Sequence, residues 1–253
     1  MKISLIFCFF ILLGLSTSIE AKVLNLSVVE RSWYPFSYVE KKIIKGMHVD
    51  IVKKALGDLG YKVNIKVLPS KRGVRYAKSG EIDGVISIAY SPEMAAVFDF
   101  PSDAGTVNES KWRIMQVDHI IITHKTLDYE YNGNIKTLPG PVRVPVGEPF
   151  SASLKNVGHV VYETRTDIQN FMMLIRDGTG SVITTSVIAE SLFLNSNFAG
   201  KFNIQAIPFV SQSYHLGFSK KTSLTKEEKQ KVWEKIAKLR DDYVYMLQLF
   251  AQY

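Results

Sequence analysis

Aromatic and polar side chains collect where the predicted strands of this chain end. Glu30, Trp33 and Phe36 follow the first strand, and Ser87 and Tyr90 close a later, almost continuously apolar one. Ligands of open α/β sheets bind beyond the carboxyl ends of the strands. An exposed cluster of aromatic rings is costly unless it packs or binds. These residues therefore predict a small-molecule site, with packing of the rings against Pro35 as the alternative.

The second half of the chain has strand ends of the same kind. Glu148 and Phe150 follow one predicted strand, Asp167 follows another, and Thr185 closes a third. A carboxylate at the start of a helix, as at Asp167, either caps that helix or faces a ligand amine. Both interpretations remain open from the residues alone.

Basic residues are numerous, with 31 Lys and Arg against 24 Asp and Glu and a net charge of +7. Because they are spread along the chain, they predict a solvated surface rather than a single anion-binding patch. The exception is the predicted helix from Ser70 to Ser79, where Arg72 and Arg75 share one face. Two guanidinium groups on one face form either an anion clamp or a solvated basic face.

The sequence motifs of several kinds of functional site are absent from this chain. The sequence contains no G-x-G-x-x-G, Walker A, H-E-x-x-H or G-x-S-x-G pattern. His119 and His124 are five residues apart on one predicted strand, which places them on opposite faces and disfavours a shared metal. Basic and aromatic residues do not interleave as in nucleic-acid-binding patches. We therefore predict no cofactor, no metal and no nucleic-acid partner.

Residues 1–21 have the pattern of a secretory signal peptide. Lys2 precedes an apolar run from Ile3 to Leu15, and Ala21 lies at a suitable cleavage position. The alternative, a membrane anchor, needs about 20 apolar residues, and this run is shorter. Cys8 is the one cysteine of the chain and falls inside the leader, so the mature protein would have no disulfide. The pattern predicts export to the periplasm.

Predicted strands and helices alternate along the mature chain, which indicates an α/β fold. Two similar βαβ blocks follow one another without a tandem repeat, and the long apolar strand from Met115 to Thr123 lies between them. The tail from Ser223 is predicted to be helical, with a capping box formed by Thr225 and Glu228. Its apolar stripe from Val232 to Phe250 is typical of a closing helix packed on its own domain.

The order of these segments resembles the family 3 solute-binding proteins over essentially the whole mature chain. The segments that carry the resemblance are RSWYPFSYVE, KGMHVDIVKKALGDLGY, PSKRGVRYAKSGEIDGVIS, AYSPEMAAVFDFPS, TRTDIQNFMMLIRDGTGSVIT and SYHLGFSKK. The resemblance implies the type II periplasmic-binding-protein fold, with two lobes that are each a mixed sheet flanked by helices. Residues 22–117 and 212–253 would form lobe 1, residues 118–211 would form lobe 2, and two hinge crossings would join them.

By the same resemblance, four positions take ligand-binding roles. Glu30 matches an acidic position near the ligand amine, and Trp33 matches an aromatic side chain that covers the ligand. Ser87 matches a hydroxyl donor, and Asp167 matches the second-lobe carboxylate that pairs with an α-ammonium group.

The sequence departs from the family where a ligand carboxylate would be held. Met94 stands at the position of the clamping arginine, and Ala89 stands at that of a hydroxyl donor. A buried carboxylate without a partner costs several kcal/mol, so we expect Arg72 to supply the anion contact. Residues 103–118 are longer than the usual connection, and we expect Trp112 to reach the cleft.

The function implied is an exported receptor, not an enzyme, that delivers a small polar solute to an inner-membrane ABC permease. We expect it to be a monomer. The first alternative is a periplasmic dehydratase on the same fold, with Glu30, Glu148 or Asp167 as acid or base. The second is a sensory or interaction module whose cleft has been repurposed.

Overall fold

The computed structural model describes residues 21–30, 33–146, 148 and 150–253. The signal peptide expected at residues 1–21 lies outside these ranges apart from Ala21. The strands are β1 (Val23–Val29), β2 (Tyr38–Glu40), β3 (Ile43–Lys45), β4 (Lys62–Leu68), β5 (Gly84–Ala89), β6 (Phe98–Asp99), β7 (Met115–His124), β8 (Val142–Pro145), β9 (Val161–Thr164), β10 (Ser181–Thr185), β11 (Phe202–Ile204) and β12 (Val210–Ser219). The helices are α1 (Met47–Asp58), α2 (Ser70–Ser79), α3 (Pro92–Ala95), α4 (Ser151–Asn156), α5 (Asp167–Asp177), α6 (Ser186–Phe193), α7 (Lys226–Arg240) and α8 (Tyr243–Phe250), with a 3-10 turn at Ile135–Thr137.

One continuous sheet runs through the molecule in the order β4-β1-β5-β12-β7-β10-β8-β9. At one end β1 is parallel to β4 and β5, and at the other end β8 is parallel to β9 and β10. Between these parallel ends, β12 pairs antiparallel with both β5 and β7. Strands β6 and β11 attach to β12 and β7, while β2 and β3 form a separate hairpin. The two parallel ends are thus joined through β12 and β7.

Each half of the sheet is covered by apolar clusters on both faces. In β5, Val85 and Ile86 enter different clusters because successive strand residues point to opposite faces. Ile121 and Ile122 of β7 do the same in the second half. Helices α1, α7 and α8 supply most of the largest cluster. The α/β architecture expected from the alternation of elements is present.

The caps of two helices position residues that matter for the cleft. Thr166 caps α5 by accepting a hydrogen bond from the backbone N–H of Gln169, which sets Asp167 in the first turn. Ser91 caps the short helix α3 in the same way and holds Met94. The short elements β2, β3, α3 and β6 were not anticipated from the sequence pattern.

The C-terminal tail differs from the single helix that its apolar stripe predicts. The chain leaves α7 at Asp241, and Asp242 starts α8 by accepting a hydrogen bond from the backbone N–H of Tyr245. The turn between the helices changes which residues face the core. Tyr243 is therefore 74% exposed, although its spacing placed it in the stripe, and Phe250 is also exposed.

Strands β5 and β12 approach so closely that Gly84 cannot carry a side chain without a shift. A Cβ at Gly84 would lie 2.6 Å from the carbonyl oxygen of Gly217. We predict that Gly84→Ala lowers the free energy of unfolding by about 1–3 kcal/mol or more, as overpacking does. Urea unfolding followed by circular dichroism measures the change.

Gly57→Ala is the matched control. Gly57 lies in α1 with no atom within 4 Å of its Cβ position, and alanine is the better helix former by about 1 kcal/mol. Gly57→Ala should therefore leave the stability unchanged or raise it slightly. Equal unfolding midpoints for the two variants would contradict the close approach of β5 and β12.

Candidate functional site

A cleft lies at the carboxyl ends of the strands, where the sequence predicted a site. A larger cavity of about 620 Å³ lies against β1, β4 and β5, and a smaller one of about 310 Å³ lies against β8 and β10. Trp33 and Val146 line both cavities. The two cavities are therefore neighbouring parts of one cleft, each within the size range of small-molecule sites.

The larger cavity is mainly apolar. Its walls include Val28, Leu68, Val74, Ile86 and Met94. Its polar groups are mostly hydroxyls; the lining residues that carry a hydroxyl are Ser27, Ser37, Ser70, Ser87, Ser91, Tyr90 and Tyr214. Among the described residues that line it, Glu93 alone carries a charged side chain.

The smaller cavity is lined by two carboxylates, Glu148 and Asp167, and by one guanidinium group, Arg165. Asp167 lines it and accepts a hydrogen bond from the Thr184 hydroxyl at 2.6 Å. Glu148 lines it too and is only 7% exposed, with its Oε2 atom 3.6 Å from Nε2 of His119. Thr185 is 3% exposed, and its Oγ1 atom has no hydrogen-bond partner within the described part of the chain. Two carboxylates and a buried hydroxyl thus face this cavity.

A buried histidine orients one hydroxyl of the larger cavity. Nδ1 of His48 is hydrogen-bonded to Oγ of Ser87 at 2.7 Å, and the imidazole is packed among the rings of Trp33, Phe36 and Tyr214. Burial lowers the pKa of His48 to about 3, so the ring is neutral at physiological pH. Ser87 has φ of 65°, an uncommon backbone conformation for a residue other than glycine. Such strain is typical of functional sites.

Trp33 is held in place from two sides. Its ring lies 4.7 Å from that of Phe36 and 4.8 Å from that of Tyr214, measured between centroids. Tyr253 secures the same loop from outside, because its hydroxyl accepts a hydrogen bond from the backbone N–H of Gly46 at 3.0 Å and its backbone oxygen accepts one from the Tyr34 hydroxyl. The cleft wall therefore depends on residues far apart in the sequence.

Seven of the twelve predicted site residues line the cleft. They are Trp33, Ser87, Ala89, Tyr90, Glu148, Asp167 and Thr185. The structure also brings in residues that the sequence pattern did not identify, chiefly His48 and Tyr214. Tyr214 immediately precedes the strand predicted from His215 to Phe218, whereas nothing in the sequence indicated that His48 would meet Ser87.

Three aromatic or acidic residues predicted for the site lie outside both cavities. Phe36 is fully buried beneath Trp33 and supports it rather than lining the cleft. Phe150 packs against His119 and Phe209. Glu30 is exposed at the end of β1, where its backbone N–H donates to the carbonyl oxygen of Leu68.

Arg72 and Trp112, which the sequence predicted for the site, also lie outside both cavities. Arg72 is exposed on α2, and the helix turns Ser70, Gly73 and Val74 towards the cleft instead. Trp112 packs against the cluster formed around α1 and α7, with the ammonium group of Lys111 4.6 Å from its ring centroid. Neither residue lines a cavity, and no Lys or Arg is among the described residues that line the cavity of Met94.

No group of three or more His, Cys, Asp or Glu residues within the described part of the chain is arranged to hold a metal ion. Nor does any helix in the described ranges have the length and hydropathy needed to cross a membrane.

Comparison with solved structures identifies the fold. A mutant of ArgBP from T. maritima is 18% identical, with a TM-score of 0.64 over 91% of this chain and 94% of that chain. The L-cystine solute receptor of Neisseria gonorrhoeae, in its unliganded open conformation, is 17% identical. Its TM-score is 0.62, and the match covers 91% of this chain and 92% of the receptor. An ancestral amino-acid-binding protein described as a precursor of cyclohexadienyl dehydratase is 16% identical. Its TM-score is 0.61, and the match covers 91% of this chain and 94% of that protein.

These likenesses define a type II periplasmic-binding-protein fold, as the sequence predicted. A search of curated proteins finds no significant match. The chain belongs to the bacterial extracellular solute-binding proteins, family 3, whose model matches residues 27–242. Membership of this family supports a solute-binding role.

The buried His48 predicts how stability depends on pH. The ring is protonated in the unfolded chain below its ordinary pKa of 6.5, but in the folded protein only near pH 3. Between these values the unfolded state binds more protons, so the free energy of unfolding should fall by about 1.4 kcal/mol for each pH unit of acidification. His215, whose pKa is lowered to about 4 mainly by burial, acts in the same direction.

Urea unfolding at a series of pH values from 7 to 4 measures the slope of the free energy of unfolding against pH. His48→Phe should make the slope shallower, and the part that is due to His215 should remain. An NMR titration of the His48 ring in the unaltered protein tests the same point independently. A ring that titrates near pH 6.5 would contradict the prediction.

Proposed function

We propose that this chain is an exported receptor that encloses a small solute between two lobes and delivers it to an inner-membrane ABC permease. Lobe 1 would comprise residues 22–117 and 212–253, and lobe 2 residues 118–211. The observation that carries the proposal is the cleft itself. One wall comes from β1, β4 and β5, the other from β8 and β10, and Trp33 and Val146 line both parts.

The connection between the two halves of the sheet is suited to a hinge. Strands β7 and β12 each run for ten residues and pass from one half towards the other. A solute that contacts both walls favours the arrangement in which they are close, and this differential contact drives closure. Trp33 would cover the solute, since its ring is already packed against Tyr214 of β12.

One observation favours a second function, that of an enzyme on the same fold. The buried carboxyl group of Glu148 lies close to the imidazole of His119 and lines the smaller cavity. A carboxyl–imidazole pair in a water-poor cavity is a suitable acid–base arrangement. A dehydratase would use it to remove a proton and protonate a leaving hydroxyl group.

A screen of ligands by thermal shift separates these functions. The panel contains the twenty L-amino acids, simple amines and organic acids, and cyclic carboxylates. A receptor should be stabilised by about 3 kcal/mol at a ligand concentration of about 100 times Kd, without turnover. If NMR detects a product formed from one of these compounds, the protein is an enzyme instead. If no compound in the panel stabilises the protein, the proposed receptor function is contradicted.

A blocking substitution tests whether the cleft is the binding site. Val146 is 50% exposed and lines both cavities, so Val146→Trp should fill the cleft without disturbing the core. We predict that it weakens binding of the best ligand about tenfold or more in calorimetric titration. Val160→Trp is the control, since Val160 is 60% exposed and lies outside both cavities. Equal affinities in the two variants would place the site elsewhere.

A further inference from the structure

The outer side of helix α2 carries basic side chains that the proposed function does not use. Gly73 and Ala77 of this helix are buried against the sheet, whereas its Lys and Arg residues are all exposed. Because an α-helix has about 3.6 residues per turn, the buried positions and the basic positions fall on different sides of α2. The helix therefore turns its cations away from the core.

The edge strand β4 extends this basic surface. Strand β4 ends the sheet and pairs with β1, where Lys66 is the register partner of Ser27. Ser27 lies beneath α2, since a Cβ at Gly73 would be 3.4 Å from its Oγ atom. Lys62 is four residues before Lys66 and so lies on the same face of the strand. We call the exposed cations of the strand and the helix the basic face: Lys62, Lys66, Lys71, Arg72, Arg75 and Lys78.

The basic face has no counter-charge within the described part of the chain. None of its six side chains forms an ion pair there. The two acidic residues that follow α2 have other partners. Glu81 accepts a hydrogen bond from the Ser79 hydroxyl, and Asp83 accepts one from the backbone N–H of Asn25 and one from the Thr222 hydroxyl. The positive charge of the chain is therefore partly concentrated on one surface.

A seventh cation continues the basic face at the end of α2. A Cβ at Gly80, which follows the helix, would lie 3.3 Å from the Cβ of Lys221. Lys221 is exposed and also forms no ion pair within the described ranges. The surface thus draws its cations from β4, α2 and the turn after β12, which are brought together by the fold.

We propose that the basic face binds the anionic headgroups of a phospholipid bilayer. Its six residues lie outside both cavities of the cleft. They are spread over a strand and a helix instead of converging on a pocket, so one small anion could contact only a few of them. An extended anionic surface can meet all of them at once, and its attraction for each Lys or Arg adds to the others.

The absence of apolar groups favours a bilayer over an acidic protein as the partner. Among the described residues 60–80, no large apolar side chain is exposed. The centre of a protein–protein interface is usually apolar and rich in aromatic residues. Lipid headgroups are mobile and need no such centre, because the attraction is electrostatic. It is therefore expected to weaken strongly with salt.

The basic face and the cleft use different sides of the same helix. Helix α2 turns Ser70, Gly73 and Val74 to the larger cavity and its cations the other way. Lipid and solute would thus contact different residues, and the inference does not depend on what the cleft binds. Under the proposed receptor function, the contact would keep the protein close to a permease in the membrane.

Cosedimentation with lipid vesicles at pH 7 tests the proposal. One set of vesicles contains equal parts of phosphatidylglycerol and phosphatidylcholine, and the other contains phosphatidylcholine alone, which measures binding that does not depend on charge. We expect the partition coefficient to be about tenfold or more higher for the anionic vesicles at about 50 mM NaCl, and to fall towards that of the neutral vesicles at about 500 mM. Equal binding to both sets at low salt would overturn the proposal.

Charge reversals locate the surface that binds. The triple variant Lys71→Glu, Arg72→Glu and Arg75→Glu should lower the partition coefficient on anionic vesicles about tenfold or more, since each basic residue near the bilayer contributes about fivefold. The helix should persist, because Glu is about as good a helix former as Lys and Arg. Lys62→Gln with Lys66→Gln tests the strand independently and should lower it about tenfold.

A matched control separates the basic face from the net charge. Lys125→Glu, Lys136→Glu and Lys231→Glu together lower the net charge by the same amount at exposed positions outside the basic face. This variant should keep most of the binding, and circular dichroism confirms that each variant is folded. An equal loss in the two triple variants would overturn the proposal. Binding to poly-L-glutamate without binding to anionic vesicles would also overturn it and assign an acidic polypeptide as the partner.

The vesicle assay and the ligand screen give independent answers. A protein that a solute stabilises but that ignores anionic vesicles leaves the receptor function standing and removes the lipid contact. A protein that binds anionic vesicles through the basic face but responds to no solute supports the lipid contact and contradicts the receptor.

Discussion

The antiparallel pairing of β12 with its two neighbours is the constraint on which the rest of the structure depends. Tyr214 of β12 pairs with Ala89 of β5 on one side and with Met115 of β7 on the other. This register brings the end of β5, which carries Ser87, next to the strands that connect the two halves. It also places the Tyr214 ring against Trp33. The cleft exists because these backbone hydrogen bonds join two parallel sheets edge to edge.

Electrostatics and burial divide the cleft into parts with different tasks. His48 is neutral because it is desolvated among aromatic rings, so it can orient Ser87 without adding charge. Glu148 and Asp167 instead line the smaller cavity, together with the guanidinium group of Arg165. The binding chemistry is thus a property of the whole cleft.

Much of the site could be predicted because strand ends can be read from periodicity. Ser87, Asp167 and Thr185 follow apolar runs, and parallel strands bring such ends to one edge of the sheet. The failures have a common cause. Arg72 and Trp112 were assigned by resemblance or by the length of a connection, but rotation of a helix and packing against a core decide where a side chain points. Helix α2 turns Gly73 and Val74 to the cleft, and Arg72 to solvent.

The sequence by itself indicated the α/β class, the order of the main elements and the family, but not the short elements β2, β3, α3 and β6 or the division of the tail into two helices. The class and the main elements follow from local hydrophobic periodicity and capping, which act over a few residues, and the family follows from the resemblance of the quoted segments. Only the tertiary structure decided that His48 meets Ser87, that Tyr253 holds the loop of Trp33, and that Glu148 lies beside His119. These contacts join residues 29 to 207 positions apart, which no local pattern encodes. The strand-end rule could indicate where a ligand binds, but the charge of the cavity walls depended on which side chains packing leaves facing the cleft.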